Sequence, residues 1–127
     1  PDLVARNSRE ASVILTVSND TWFGESLGPL QHMQMVRMRA VENAKPIIRG
    51  TNNGISGLVD HQGKVYQRID QNSIAEVSGI VQPRAGQTPF SMTGSWPVVF
   101  LSLLIVCFLI FNRIKTNVLK ESKNEIK

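Results

Sequence analysis

From Pro97 to Phe111 the chain reads PVVFLSLLIVCFLIF, without a charge and with a single hydroxyl, and this run limits the possible folds more than any other feature. Ser102 carries that hydroxyl, which a helix satisfies by bonding back to its own carbonyls. Counted from Gly94, the uncharged stretch to Phe111 has 18 residues. At about 1.5 Å per residue it is about 27 Å long, close to the hydrocarbon thickness of a bilayer. Trp96 stands where an interfacial aromatic belongs, Pro97 suits a first helical turn, and Asn112-Arg113 are expected to close the far end. A buried core helix is the competing reading, and the length rule favours the membrane.

Charge sets the orientation. Residues 1–111 carry 9 Lys and Arg against 8 Asp and Glu, whereas residues 112–127 carry 5 against 2, so the formal charge of +4 is mostly a tail. A basic stretch just after a span predicts a cytoplasmic C-terminus, with residues 1–90 outside; in a bacterium this means the periplasmic face of the inner membrane. The same tail suits anionic lipid. With the basicity concentrated there and no basic-aromatic face elsewhere, nucleic acid is not an expected partner. The sole cysteine, Cys107, lies inside the apolar run, which leaves no internal disulfide, CxxC pair or cysteine zinc site. It reads as a lipid-facing or packed residue.

The whole chain has 127 residues, room for one domain or part of one, and 42% hydrophobic against 19% charged residues exclude wholesale disorder. It opens on Pro1-Asp2 with no Met and no basic-then-apolar leader, so a processed product or a fragment is expected, the fragment preferred. Three segments follow: a soluble part over 1–90, a span over 91–111 and a basic cytoplasmic tail over 112–127.

Within the soluble part, Ala11 to Val17 is a short apolar, β-branched run before Ser18-Asn19-Asp20, the pattern of a central strand buried on both faces. Pro29 precedes a predicted amphipathic helix from Leu30 to Lys45, with Met33, Val36, Ala40, Val41 and Ala44 inward and Pro46 as its stop. Strands are predicted at Ile47–Arg49, Ile55–Val59, Lys64–Ile69 and Ile74–Val81, with Asp60-His61-Gln62-Gly63 as a hairpin turn and residues 83–89 as a linker. A strand, a helix and a strand followed by a meander give an α/β layered class. One such sheet lacks the elements to cover both faces, which places further material before Pro1, and residues 2–10 read as the rest of a helix begun upstream.

Chemistry is expected at Ser18-Asn19-Asp20-Thr21-Trp22-Phe23-Gly24, a polar and aromatic loop at the C-terminal end of a strand, where α/β folds gather their sites. An equal alternative is a plain turn, in which Asn19 and Asp20 bond local backbone and Trp22-Phe23 plug the core. Glu42 reads either as a carboxylate that supports the site from behind or, with Arg37, Arg39 and Arg49 available as partners, as a structural ion pair, the latter preferred. His32 reads as a helix-end hydrogen-bonder and His61 as a turn residue. No metal cluster or phosphate-binding glycine loop is present in the sequence, and neither a metal nor a cofactor is expected.

This loop, taken with Gly28-Pro29-Leu30-Gln31-His32, Arg37-Met38-Arg39-Ala40-Val41-Glu42-Asn43 and Thr51-Asn52-Asn53-Gly54, resembles the nitrilase, or carbon-nitrogen hydrolase, superfamily. Arg-Ala-x-Glu-Asn followed by a strand and an Asn loop is shared with soluble amidases. The SND-x-WFG run, TNNG and a closing membrane helix resemble the apolipoprotein N-acyltransferase branch. The resemblance implies the C-terminal part of an αββα sandwich followed by one transmembrane helix. It also implies a reaction that moves an acyl chain from a phospholipid, through a cysteine thioester, to the amino group of a diacylglyceryl-cysteine lipoprotein; separately, a monomer is expected. The Glu-Lys-Cys triad it implies would lie before Pro1, so no catalytic residue is assigned here. Cys107 cannot stand in, having no neighbouring base in an apolar span. By the same resemblance Trp22 and Phe23 flank the cysteine and the acyl or glyceryl groups, Gly24 allows the tight turn, and Asn19 and Asp20 hold the loop. Asn52 and Asn53 either shape their own loop or wall the site. The alternative is a membrane-anchored carbon-nitrogen hydrolase acting on amides; a non-enzymatic membrane module is the third reading.

Overall fold

The computed structural model describes residues 1–125, with side chains through Lys115. Lys120 and Lys123, as side chains, and Lys127 lie outside the described residues. Two compact units divide the chain, Pro1–Gly94 and Ser95–Lys127.

The first unit runs α1 (Asp2–Asn7), β1 (Ile14–Asn19), a 3-10 turn over Thr21–Phe23, α2 (Gly28–Asn43), β2 (Ile47–Asn52), β3 (Ser56–Val59), β4 (Val65–Ile69) and α3 (Pro89–Thr93). The four strands form one mixed sheet in sequence order. β1 and β2 are parallel, as a strand-helix-strand unit requires, and β2, β3 and β4 are antiparallel neighbours. Asp60 builds the β3–β4 turn: its Oδ1 accepts the backbone N–H groups of Gln62 and Lys64, and Gly63 takes a positive φ of 78°.

Helix α2 buries Pro29, Met33, Val36, Ala40 and Asn43, one stripe at helical spacing. Met33, Val36 and Ala40 meet Ile47, Ile55 and Val59, flanked by Ile14 and Val65. Two residues assigned to this face do not lie on it. Val41 falls one residue past Ala40, about 100° around the helix, and is exposed. Ala44 adopts the left-handed conformation, φ 49°, and caps the helix two residues before Pro46. Asn43 takes the last stripe position, donating through Nδ2 to the Arg39 carbonyl and accepting from Ser8 Oγ.

Two strand expectations fail. Among the described residues β1 lies at the edge of the sheet, and Leu15 and Val17 are 69% and 77% exposed. An apolar β-branched run specifies a strand, but the number of covered faces depends on neighbours that the run itself does not encode. Ile74–Val81 forms no strand. Its alternation is genuine, yet it joins no ladder beside β4, and Ile74 and Ile80 are exposed. Among the described residues it is held by contacts such as Tyr66 Oη donating to the Ile80 carbonyl at 3.2 Å.

The second unit is α4, Trp96–Glu125. Trp96–Lys115 is long and apolar enough to cross a membrane, with mean hydropathy 2.3 and none of it buried. Ser102 Oγ donates back to the Val98 carbonyl at 2.8 Å, which satisfies the one polar group in the apolar run. The helix does not stop at Asn112-Arg113. Those residues end the apolar stretch only, because no Gly or Pro follows them to break the helix.

Candidate functional site

Parallel strands end on the same side of a sheet, and here the pairing is in register to the last residue: Asn19 of β1 lies opposite Asn52 of β2. The loops that follow each strand therefore share one edge, the position where α/β sheets present their sites. Asp20 joins the two loops, its N–H donating to the Asn52 carbonyl at 3.1 Å and its carbonyl accepting from Phe23 N.

The Asp20 side chain is wholly buried. Oδ2 accepts from Arg49 Nη2 at 2.8 Å, while Oδ1 accepts from Ser18 Oγ at 3.0 Å and lies 2.9 Å from His32 Nδ1. Arg49 is equally buried and also donates through Nε to the Ile55 carbonyl. A fully desolvated ion pair holds only where further hydrogen bonds occupy its remaining polar atoms; here Ser18, His32 and Ile55 do so for all but Arg49 Nη1, which is buried without a partner. With a carboxylate facing it, the imidazole presents a proton on Nδ1.

Above this cluster the loop turns outward. Asn19 Oδ1 accepts from Thr21 N and Oγ1, and the Asn19 carbonyl accepts from Trp22 Nε1 at 2.6 Å. The indole is thus fixed at its polar end while the side chain stays 80% exposed. Trp22 does not plug a core. Phe23 packs edge-on against His32, ring centroids 6.2 Å apart. Gly24 takes φ 53° with open space where a Cβ would stand, so the backbone conformation alone calls for glycine; Gln71 Nε2 donates to its carbonyl.

The second loop is shaped around the first. Asn53 sits in the left-handed region, φ 60°, a conformation Asn tolerates. Gly54 N donates to Thr51 Oγ1, and a Cβ at Gly54 would overlap Asp20 Oδ2 and Thr51 Oγ1. Asn52 and Asn53 therefore both take part in loop construction.

Glu42 pairs with Arg39 at 2.9 Å, one turn apart on α2. Arg49 and Arg37, the other two candidates, are engaged elsewhere, Arg49 with Asp20 and Arg37 with the Gly63 carbonyl and Gln34. His61 lies in the β3–β4 turn. Among the described residues no group of three His, Cys, Asp or Glu could hold a metal ion. Cys107 is exposed on α4.

Sequence reasoning missed the joining of Arg49 and His32 to Asp20. A signal was present for Arg49: a charged residue directly after Ile47-Ile48 in a buried strand must find a partner. His32 was legible as a helix-end hydrogen-bonder, and it is one, but its partner lies across the turn between loop and helix and carried no signal of its own. Lys45 was missed as well; it is buried and donates to the Arg84 carbonyl at 2.7 Å.

A strand-helix-strand unit with a polar cluster at its strand ends has the layout of an α/β domain, the class of fold that places ligand sites at that edge. Residues 2–90 match the model of the carbon-nitrogen hydrolase family, and the chain belongs to that family. It is 44% identical over 108 residues to the apolipoprotein N-acyltransferase of Vibrio vulnificus, covering 85% of this chain and 21% of that protein. It is 46% identical over 114 residues to the enzyme of the same name from Haemophilus influenzae, covering 87% and 22%. Against the Pseudomonas aeruginosa enzyme it is 42% identical over 113 residues, covering 89% and 22%. The chain thus spans about a fifth of the length of these relatives.

Proposed function

We propose that this chain forms the Trp22-bearing wall of an N-acyltransferase that takes an acyl chain from a phospholipid, through a cysteine thioester, to the amino group of a diacylglyceryl-cysteine lipoprotein. The observation that carries the reading is Trp22 itself, a large apolar surface left exposed yet tied by its N–H to Asn19 in a chain that also holds a membrane-length helix. An indole so placed can line an acyl or glyceryl group without collapsing into the core. A thiolate attacking an ester, with a carboxylate to relay protons and a lysine to hold the oxyanion, is chemistry that a carbon-nitrogen hydrolase site supports. Asp20 is not the proton relay, because both its oxygens are already engaged.

The one cysteine of these 127 residues sits in α4, within an apolar run. Purified alone, these residues are expected to turn over neither phospholipid nor amide. Grafted in place of the matching 108 residues of the Vibrio vulnificus enzyme, they are expected to sustain acyl transfer to a lipoprotein substrate. A graft that accumulates in the membrane yet hydrolyses small amides and transfers no acyl group would establish the amidase reading instead. That reading leaves a bilayer-length helix without a purpose, since a small soluble amide needs no lipid surface.

The proposed location is the bacterial inner membrane, residues 1–90 periplasmic and the tail cytoplasmic. A reporter active only in the periplasm, fused after Lys127, is expected to stay silent; a signal from it would reverse the topology.

A further inference from the structure

We propose that Arg49 and His32 are positioning residues which act through Asp20 to hold the Trp22 loop in the pose that acyl transfer requires. The inference begins with an imbalance. Among the described residues the indole is 80% exposed, so packing within this chain does little to fix it, and its one hydrogen bond there runs from Nε1 to the Asn19 carbonyl. That carbonyl belongs to the peptide leading into Asp20, so the direction of the indole follows the orientation of Asp20.

Three elements clamp Asp20, the first being β1, whose Ser18 Oγ donates to Oδ1. Arg49 reaches it from β2 while its Nε binds the Ile55 carbonyl at the entry to β3, and His32 reaches it from the second turn of α2. Gly54 leaves room for the carboxylate, as any larger residue there would push it away. The guanidinium fork suits its task because one planar group grips two acceptors at once, whereas an ammonium is a point charge. His32 lies at the loop side of the clamp, its side chain 28% exposed and its ring against Phe23, the residue after Trp22. Helix α2 and strands β1 and β2 thus converge, through His32, Ser18 and Arg49, on one carboxylate whose two oxygens both accept. The cluster resists displacement of the loop when a ligand presses on Trp22, and that is the property a pocket wall needs.

The activity arm of the test rests on the function proposed above, and a spectroscopic arm on the chain itself does not. The two indole N–H signals of Trp22 and Trp96 are recorded by nuclear magnetic resonance in detergent and assigned with Trp22→Phe. In His32→Leu, which removes the donor from a partly exposed site, the Trp22 indole proton is expected to exchange with solvent at least about fivefold faster while backbone signals of the sheet persist. His32→Asn returns an N–H near the Nδ1 position and is expected to restore slow exchange. Arg49→Lys, with charge kept and the fork lost, is expected to behave as His32→Leu does. In the Vibrio vulnificus graft, His32→Leu should lower kcat about tenfold with KM for phospholipid unchanged, and His32→Asn should recover most of it.

An unchanged Trp22 signal in folded His32→Leu overturns the proposal. So does a loss of protein yield with kcat intact, which would mark a purely structural cluster. A fall in kcat that His32→Asn does not rescue, with the Trp22 signal unmoved, would make His32 a proton carrier through Nε2 and overturn it too. If Arg49→Lys does not fold, the two His32 variants decide. An inactive unmodified graft would count against the acyltransferase reading alone, since the indole measurement still decides the positioning.

Discussion

Asp20→Ala is expected to lose about 3–5 kcal/mol of folding stability, because it leaves the Arg49 guanidinium buried without its counter-charge. Against a total of about 5–15 kcal/mol for a domain, that removes most of the margin. The loss should be visible as a large fall in the denaturant midpoint of the strand signal in detergent. The pair's own net worth is a different quantity. Removing both charges together, as Asp20→Ala with Arg49→Met, is expected to recover much of the loss, since a desolvated ion pair roughly balances its own desolvation penalty. If Asp20→Ala stays within about 1 kcal/mol of the parent, the buried pair is not what joins β1 to β2 at this edge.

Trp22→Ala should show the opposite pattern, with activity lost and protein retained. In the Vibrio vulnificus graft it is expected to lower acyl transfer more than about tenfold, over about 1.4 kcal/mol of transition-state stabilisation. A tryptophan that filled the core of the graft would cost about 3–5 kcal/mol of stability instead. Membrane abundance of the graft, measured beside its transfer rate, separates the two. Parent-level transfer at normal abundance would mean that Trp22 walls nothing, and the assignment of Asn19, Asp20, Phe23 and Gly24 to the same site would fail with it.

Much of this arrangement was legible in the residues alone, and the legible part was local. Helix α2, the β3–β4 turn at Asp60 and the back-bonded Ser102 in a membrane-length helix all follow from interactions within a few residues along the chain. The candidate loop was visible because a polar-aromatic cluster directly follows an apolar strand, and the chain's charge asymmetry was visible because it needs no fold at all. Alternation also marked Ile74–Val81 as a strand, and the apolar run before Ser18 marked β1 as covered on both faces, and there the sequence misled in an instructive way. Alternation tells which side chains share a face, whereas a ladder and a covered face need a partner that the segment does not specify.

The site's framework was decided only by tertiary structure. Residues 20, 32 and 49 belong to a loop, a helix and a strand, and their meeting depends on parallel pairing that sets Asn19 beside Asn52 and on a helix that returns across the sheet. Whether Trp22 faces core or solvent depended on the same packing. The sequence determined helix α2, strands β1 to β4 and the membrane-length helix, because those choices rest on short-range backbone and hydropathy constraints. Which carboxylate meets which cation was determined by the fold, because only burial removes the competing water that would leave Asp20 indifferent between partners.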